Sequence, residues 1–109
     1  MEKDFITPPG HAKFLAKKLF DGMGEIKWGA LAYIEPGGGG PAGNHTHPEG
    51  HIFIVTEGEA TVMLEDKAHL VGKDTMFFVP GNVPHSIWNR GSRTVKVIKI
   101  SVDSACGTC

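Results

Sequence analysis

Hydrophobic and polar positions alternate over short stretches of the chain, and no stretch after residue 20 repeats with a helical period. Alternation with a period of two is typical of strands, in which successive side chains point to opposite faces. The stretches are rich in β-branched and aromatic residues and are bounded by turn-forming residues. They predict strands at residues 27–34, 52–56, 60–65, 75–79, 86–89 and 94–102.

Residues 12–20 fit two interpretations. Their apolar positions would suit one helical turn, whereas the Asp-Gly-Met-Gly sequence at residues 21–24 is typical of a hairpin turn. We predict a strand at 12–20 and a turn at 21–24. The glycine-rich stretch at residues 36–43 predicts a mobile or tightly bent loop. No Gly-Lys-Ser/Thr follows it, so it is not expected to bind phosphate.

The composition agrees with a small all-β domain. Fifteen glycines and seven prolines divide the 109 residues into short segments, and this length suits a single hydrophobic core. Many short strands with polar turns predict an all-β sandwich or barrel. We expect one domain over residues 1–109, with its core at 12–102 and a C-terminal tail at 103–109.

The charge balance excludes some classes of partner. Eleven Lys and Arg residues against twelve Asp and Glu residues give a net charge of −1. Such a chain lacks the basic surface that binds phosphates, so we expect neither a nucleic-acid partner nor a membrane partner. The N-terminus does not resemble a signal peptide, and the apolar runs are far shorter than a membrane span. We therefore predict a cytoplasmic protein.

The two cysteines form a Cys-x-x-Cys sequence, Cys106 to Cys109, at the C-terminus. No helix or strand follows that would position them as in a redox fold. One such sequence also supplies only half of a structural zinc site. We interpret the pair as an inert tail, and the alternatives are a readily oxidised thiol pair and a soft-metal clip.

Three of the six histidines, His45, His47 and His51, lie close together in the sequence. In a strand, His45 and His47 would point the same way with Cα atoms about 7 Å apart, close enough for one ion. His51 follows a Pro-Glu-Gly bend and begins an apolar run in which Phe53 and Val55 share its face. Imidazoles clustered without a metal ion would repel one another on protonation. We therefore predict a metal site that opens onto an apolar pocket.

A second segment, residues 79–89, supplies a further histidine. Its two prolines form a rigid turn that delivers His85 to the start of a strand, where Ile87 and Asn89 share its face. We expect His85 to complete the metal site. His11 and His69 are interpreted as surface or core histidines without a metal-binding role.

These two segments resemble the two motifs of the cupin superfamily, which centre on His-x-His and on Pro-x-Gly-x-x-His. His51 occupies the position that usually holds Glu, and Asp74 and Asn82 replace the two glycines of the second motif. The residues that match are Gly39, His45, His47 and Gly58 in the first motif and Pro80, His85 and Asn89 in the second. The resemblance covers residues 31–100 and is closest to small single-domain cupins with His-x-His-Pro-x-x-His.

The resemblance implies a double-stranded β-helix, or jelly-roll barrel, with one divalent transition metal ion (Fe, Mn, Ni, Cu or Zn) inside it. The implied ligands are His45, His47, His51 and His85. Similar small cupins form homodimers, so a homodimer is expected. Four neutral imidazoles leave the charge of the ion uncompensated, which favours anionic or enolisable oxygen ligands.

Three functions stay open. The first is a small metalloenzyme that acts on a small oxygen-rich or enolisable compound by dioxygenase-type chemistry. The second is a non-redox isomerase, lyase or sugar-processing enzyme, and the third is a small-ligand-binding module without catalysis. Glu49 is the candidate general acid or base. Trp28, Tyr33 and Phe53 are candidates for lining the pocket, although core packing is the expected role of each.

Overall fold

Eight β-strands make up the fold in the computed structural model, which describes residues 4–42 and 46–103. These described ranges contain no helix, and therefore no helix that is long and apolar enough to cross a membrane. The strands are β1 (Ala12–Met23), β2 (Ile26–Gly40), β3 (Gly50–Glu57), β4 (Ala60–Leu64), β5 (Lys67–Val71), β6 (Thr75–Val79), β7 (His85–Trp88) and β8 (Val95–Val102).

The strands pair antiparallel in the order β5-β4-β7-β2-β8-β3-β6, and β1 pairs with β2. Strand β2 joins the two halves of this sheet, because its first part pairs with β8 while Gly39 and Gly40 at its end pair with β7. Strands β5 and β6 lie at the two ends of the path but contact each other, which shows that the sheet curls into a nearly closed barrel. The prediction of an all-β barrel is confirmed.

Alternate residues of the strands point into the barrel and form its core, as the period of two requires. Ile34 of β2, Phe53 and Val55 of β3, Val62 of β4 and Val97 of β8 are all buried. Each apolar side chain removed from water stabilises the fold by about 25 cal/mol per Å² buried. The core therefore fixes the register of the strands that position the histidines.

The glycine-rich stretch differs from its prediction as a loop, since residues 36–40 form the end of β2. Glycine is a poor strand former, but here β7 passes very close to the backbone. A Cβ atom at Gly39 would collide with the carbonyl oxygen of Ile87 and with Trp88, and the φ of Gly39 is 146°. Gly38 and Gly40 are crowded in the same way by residues 10–13, so the end of β2 is glycine-rich because other backbone segments approach it closely.

Two smaller features also differ from the sequence prediction. Residues 12–20 do form a strand, but β1 continues to Met23, so the turn lies at residues 24 and 25. Strand β5 was not predicted, because its sequence Lys-Ala-His-Leu-Val shows no clear alternation. It forms an edge of the sheet, where pairing with β4 determines its conformation.

Candidate metal centre

Three histidines reach one end of the barrel from three different backbone contexts. His51 is the second residue of β3, His85 is the first residue of β7, and His47 lies in the bend that leads into β3. The backbone N–H of Asn82 donates a hydrogen bond of 2.8 Å to the carbonyl oxygen of His47. Asn82 has a φ of 62°, which Asn tolerates better than most residues. This bond ties together the two segments that carry the histidines.

The imidazole rings converge on one point. The Nε2 atoms of His47 and His51 lie 2.8 Å apart, and the ring centroid of His85 lies 4.8 Å and 5.3 Å from those of His47 and His51. One ring nitrogen of each residue lies within 4.8 Å of the others. Two adjacent ligands of an ion with metal–nitrogen bonds of about 2.1 Å would lie about 3 Å apart. The three histidines are positioned to bind a metal ion.

Backbone carbonyl groups fix the tautomers of two of these rings. The Nδ1 atom of His47 lies 3.1 Å from the carbonyl oxygen of Glu49, and that of His85 lies 2.9 Å from the carbonyl oxygen of Val83. A carbonyl oxygen only accepts, so each Nδ1 carries the hydrogen and donates it. The lone pair of each Nε2 then points into the cluster. This is the arrangement in which histidines bind metal ions, so the residues fit the implied ion.

His51 is kept neutral by its surroundings. It is 2% exposed, and burial is the main cause that lowers its pKa to about 2. The positive charge of Lys99 lowers this pKa further, as do His47 and His85 when they carry a proton. Metal binding requires neutral imidazole, so a buried histidine that does not protonate near neutral pH is suited to this role.

Two predicted site residues remain, His45 and Glu49. His45 lies outside the described residues. Glu49 places its carboxylate oxygen 3.7 Å from Nδ1 of His47, on the side of the ring away from His51. Its catalytic role stays a prediction. His69, for which no metal-binding role was predicted, packs against Phe77 with ring centroids 4.9 Å apart and is not a member of the histidine cluster.

An apolar cavity of about 420 Å³ has two lining residues in the neighbourhood of His51. Trp28 and Phe53 line it, and their ring centroids lie 6.2 Å and 6.1 Å from that of His51. None of the three clustered histidines lines the cavity, so the opening of the site onto an apolar pocket stays a prediction. Tyr33 instead lies near Phe5 and below Lys96.

Lys99 also lines this cavity, although it was not among the predicted pocket residues. A signal was present, because Val95, Val97, Lys99 and Ser101 alternate along β8 and therefore share a face. Val95, Val97 and Ser101 are buried, so this face is the inner one. Because Lys99 shares this inner face, its side chain lies inside the barrel.

Sequence comparison identifies the family. A model described as Cupin domain matches residues 30–102, which is more than half of the chain. The chain therefore belongs to the cupin family. No curated protein sequence matches it significantly.

Solved structures share the fold. The polyketide cyclase RemF from Streptomyces resistomycificus aligns with a TM-score of 0.74 at 24% identity, over 89% of this chain and 70% of RemF. A predicted oxalate decarboxylase from Thermotoga maritima aligns with a TM-score of 0.75 at 19% identity, over 90% of this chain and 89% of its own. A protein from Photorhabdus luminescens aligns with a TM-score of 0.75 at 20% identity, over 96% and 86% of the two chains. Similarity at this level shows the fold alone.

Proposed function

We propose that this protein binds one divalent transition metal ion through His45, His47, His51 and His85 and is a small metalloenzyme. Its substrate would be a small oxygen-rich or enolisable compound, and its chemistry of the dioxygenase type. The observation that carries the proposal is the convergence of three imidazoles, two of which donate Nδ1–H to backbone carbonyl groups. His45 is included from the sequence motif.

The donor set supports the choice of metal. Imidazole nitrogen suits Fe, Mn, Ni, Cu and Zn, whereas Mg and Ca prefer oxygen ligands. When bound, such an ion would supply Lewis-acid or redox chemistry at coordination positions that the protein leaves open. Redox chemistry with oxygen further requires Fe, Mn, Ni or Cu, so the identity of the ion is part of the test.

The protein's own residues would provide binding and shielding. Trp28 and Phe53 form apolar walls beside His51, which would exclude water and pack against the carbon skeleton of a substrate. The carboxylate of Glu49 lies on the side of the His47 ring away from His51. It would either orient that imidazole or accept a proton from the substrate. A Glu49→Gln variant separates these roles from metal binding, since it is expected to lower turnover and leave the metal content unchanged.

Oxygen uptake is the test of this function. The protein loaded with Fe, Mn, Ni or Cu is incubated with a panel of phenolic and enolisable compounds in an oxygen electrode. We expect substrate-dependent oxygen consumption that is lost in His47→Ala and retained in the control variant His69→Ala. Failure to consume oxygen with any compound, or binding of Zn alone from a mixture of these metals, would remove the support for dioxygenase-type chemistry.

One observation favours a non-redox isomerase or lyase as a second candidate. Lys99 places an amine beside Trp28 and Phe53 in the cavity, where it can donate or accept a proton. Such an enzyme would work without oxygen and would tolerate Zn. Turnover by the Zn-loaded protein under anaerobic conditions would support the isomerase or lyase. Turnover in air but not under anaerobic conditions would support the dioxygenase-type enzyme.

We also propose that the chain forms a homodimer through an outer face of the barrel. Cross-strand pairing places Phe78, Ile52 and Ile100 in one row on this face. Met76, Ile54 and Ile98 form the next row. Phe78 is 42% exposed and Met76 54% exposed. A second copy of this self-complementary apolar face would remove both side chains from water.

A further inference from the structure

Lys99 has an unusual position, since its side chain lies on the inner face of β8. The register pairs it with Ala30 of β2 on one side and with Phe53 of β3 on the other. The neighbouring row on the same face consists of Trp28, Ser101 and His51. The lysine therefore lies one row away from the histidine cluster.

Two aromatic rings contact the ammonium group. Nζ of Lys99 lies 5.2 Å from the ring centroid of Trp28 and 5.9 Å from that of Phe53, within the range of cation–π interactions. In the described part of the chain no carboxylate forms an ion pair with it. Burial lowers the pKa of Lys99 to about 8. The side chain thus remains mostly cationic at neutral pH, without an acidic partner.

The cavity around Lys99 has a consistent chemical character. Its polar lining residues are His11, Lys18 and Lys99, and no Asp or Glu lines it among the described residues. Lys18 already bonds Asp21 at 2.9 Å. The apolar lining is larger and includes Phe14, Trp28, Ala32, Phe53 and Val97. A cation against apolar walls suits an anion with an apolar body, and the scarcity of hydrogen-bonding groups does not suit a sugar.

We propose that this cavity binds a small carboxylic acid with an aromatic or apolar body, and that Lys99 pairs with its carboxylate. Trp28 and Phe53 pack against the body of the ligand, which lies beside His51. The volume of about 420 Å³ is in the range of small-molecule sites. This inference rests on the proposed function, because it treats the bound ligand as the substrate of the proposed enzyme. It narrows the substrate class to aromatic or apolar carboxylates.

The test compares benzoate with benzamide, which has nearly the same shape without the charge. Binding of each is measured by isothermal titration calorimetry at about pH 7 to the full chain after metal removal, so that the carboxylate has no metal ion to bind. We expect benzoate to bind at least about tenfold more tightly than benzamide, because it forms a charge-assisted bond. The preference should vanish in Lys99→Met and persist in Lys99→Arg.

Lys96→Met is the matched control. Lys96 lies on the same strand, and its Nζ lies 5.7 Å from the ring centroid of Tyr33, outside the cavity. We expect this variant to behave as the wild type. Equal binding of benzoate and benzamide by the wild type, no binding of benzoate, or an unchanged preference in Lys99→Met would overturn the proposal. The comparison within the wild type remains decisive if Lys99→Met does not fold.

Metal content, measured on the same preparations before metal removal, separates this inference from the proposed function. Lys99→Met is expected to retain the ion, and His47→Ala is expected to lose it while keeping the preference for benzoate. A wild type that binds metal but shows no preference for benzoate would refute only the carboxylate site. Absence of metal from the wild type with the preference intact would refute only the metalloenzyme.

Discussion

Ser101 lies directly opposite His51 on the paired strands β8 and β3, and both side chains point into the barrel. The Oγ atom of Ser101 and the Nδ1 atom of His51 are both buried, and neither has a hydrogen-bond partner among the described residues. A histidine that binds metal through Nε2 carries its hydrogen on Nδ1 and needs an acceptor there. We infer that the hydroxyl of Ser101 becomes that acceptor once the ion is bound.

Substituting Ser101 by alanine should therefore weaken metal binding. Loss of a hydrogen bond to a ligating histidine costs about tenfold or more in metal affinity. The measurement is competition of Ser101→Ala and the wild type for Zn with a fluorescent chelator. Ser86→Ala is the control, because that hydroxyl accepts a bond of 2.7 Å from Trp88. Equal affinity of Ser101→Ala and the wild type would show that Ser101 does not position His51.

The stability of the metal-free protein should fall in acid because of His51. Its pKa is lowered to about 2 in the folded state, so between that pH and about 6.5 the unfolded chain binds more protons. The free energy of unfolding therefore decreases as the pH falls below about 6.5, by about 2 kcal/mol at pH 5. The free energy of unfolding is measured with urea at about pH 7 and at about pH 5. Its decrease between the two should be smaller in His51→Gln than in the wild type by this amount. Equal losses in the two proteins would contradict the burial of a neutral His51.

The close approach of β2 and β7 predicts that Gly39→Ala is destabilising. The added Cβ would meet the carbonyl oxygen of Ile87 and Cα of Trp88, at a φ that alanine rarely adopts. We expect a loss of about 2 to 3 kcal/mol, measured by urea unfolding. Gly72→Ala is the control, since a Cβ there meets no atom within 4 Å. Equal stabilities of the two variants would mean that the strands are not this close.

The proposed dimer predicts an effect of Phe78→Glu on molecular mass in solution. A charge at the centre of an apolar interface is costly to bury, so this variant should be monomeric where the wild type is dimeric. Sedimentation velocity measures both. Leu19→Glu is the control, because Leu19 is 47% exposed but lies on β1, which β2 separates from β8. A wild-type monomer, or a dimer unaffected by Phe78→Glu, would contradict the proposal.

The sequence predicted the barrel and the convergence of three histidines well, because both depend on local patterns. The period of two identified most strands, and the turn before His85 and the bend before His51 placed these residues at strand starts. Lys99 was missed because a lysine in a strand usually faces water, although its alternation with Val97 and Ser101 places it on the inner face of β8. The glycine-rich end of β2 was missed because the approach of Trp88 comes from a distant segment.

The central claim is that these histidines hold a metal ion, and elemental analysis tests it most directly. Wild type, His47→Ala, His85→Ala and the control His69→Ala are purified without a tag from medium that contains all the common transition metals. We predict near-stoichiometric Fe, Mn, Ni or Cu in the wild type and in His69→Ala, and its loss from both His47→Ala and His85→Ala. A wild type without bound metal, or undiminished metal in both of these variants, would contradict the claim.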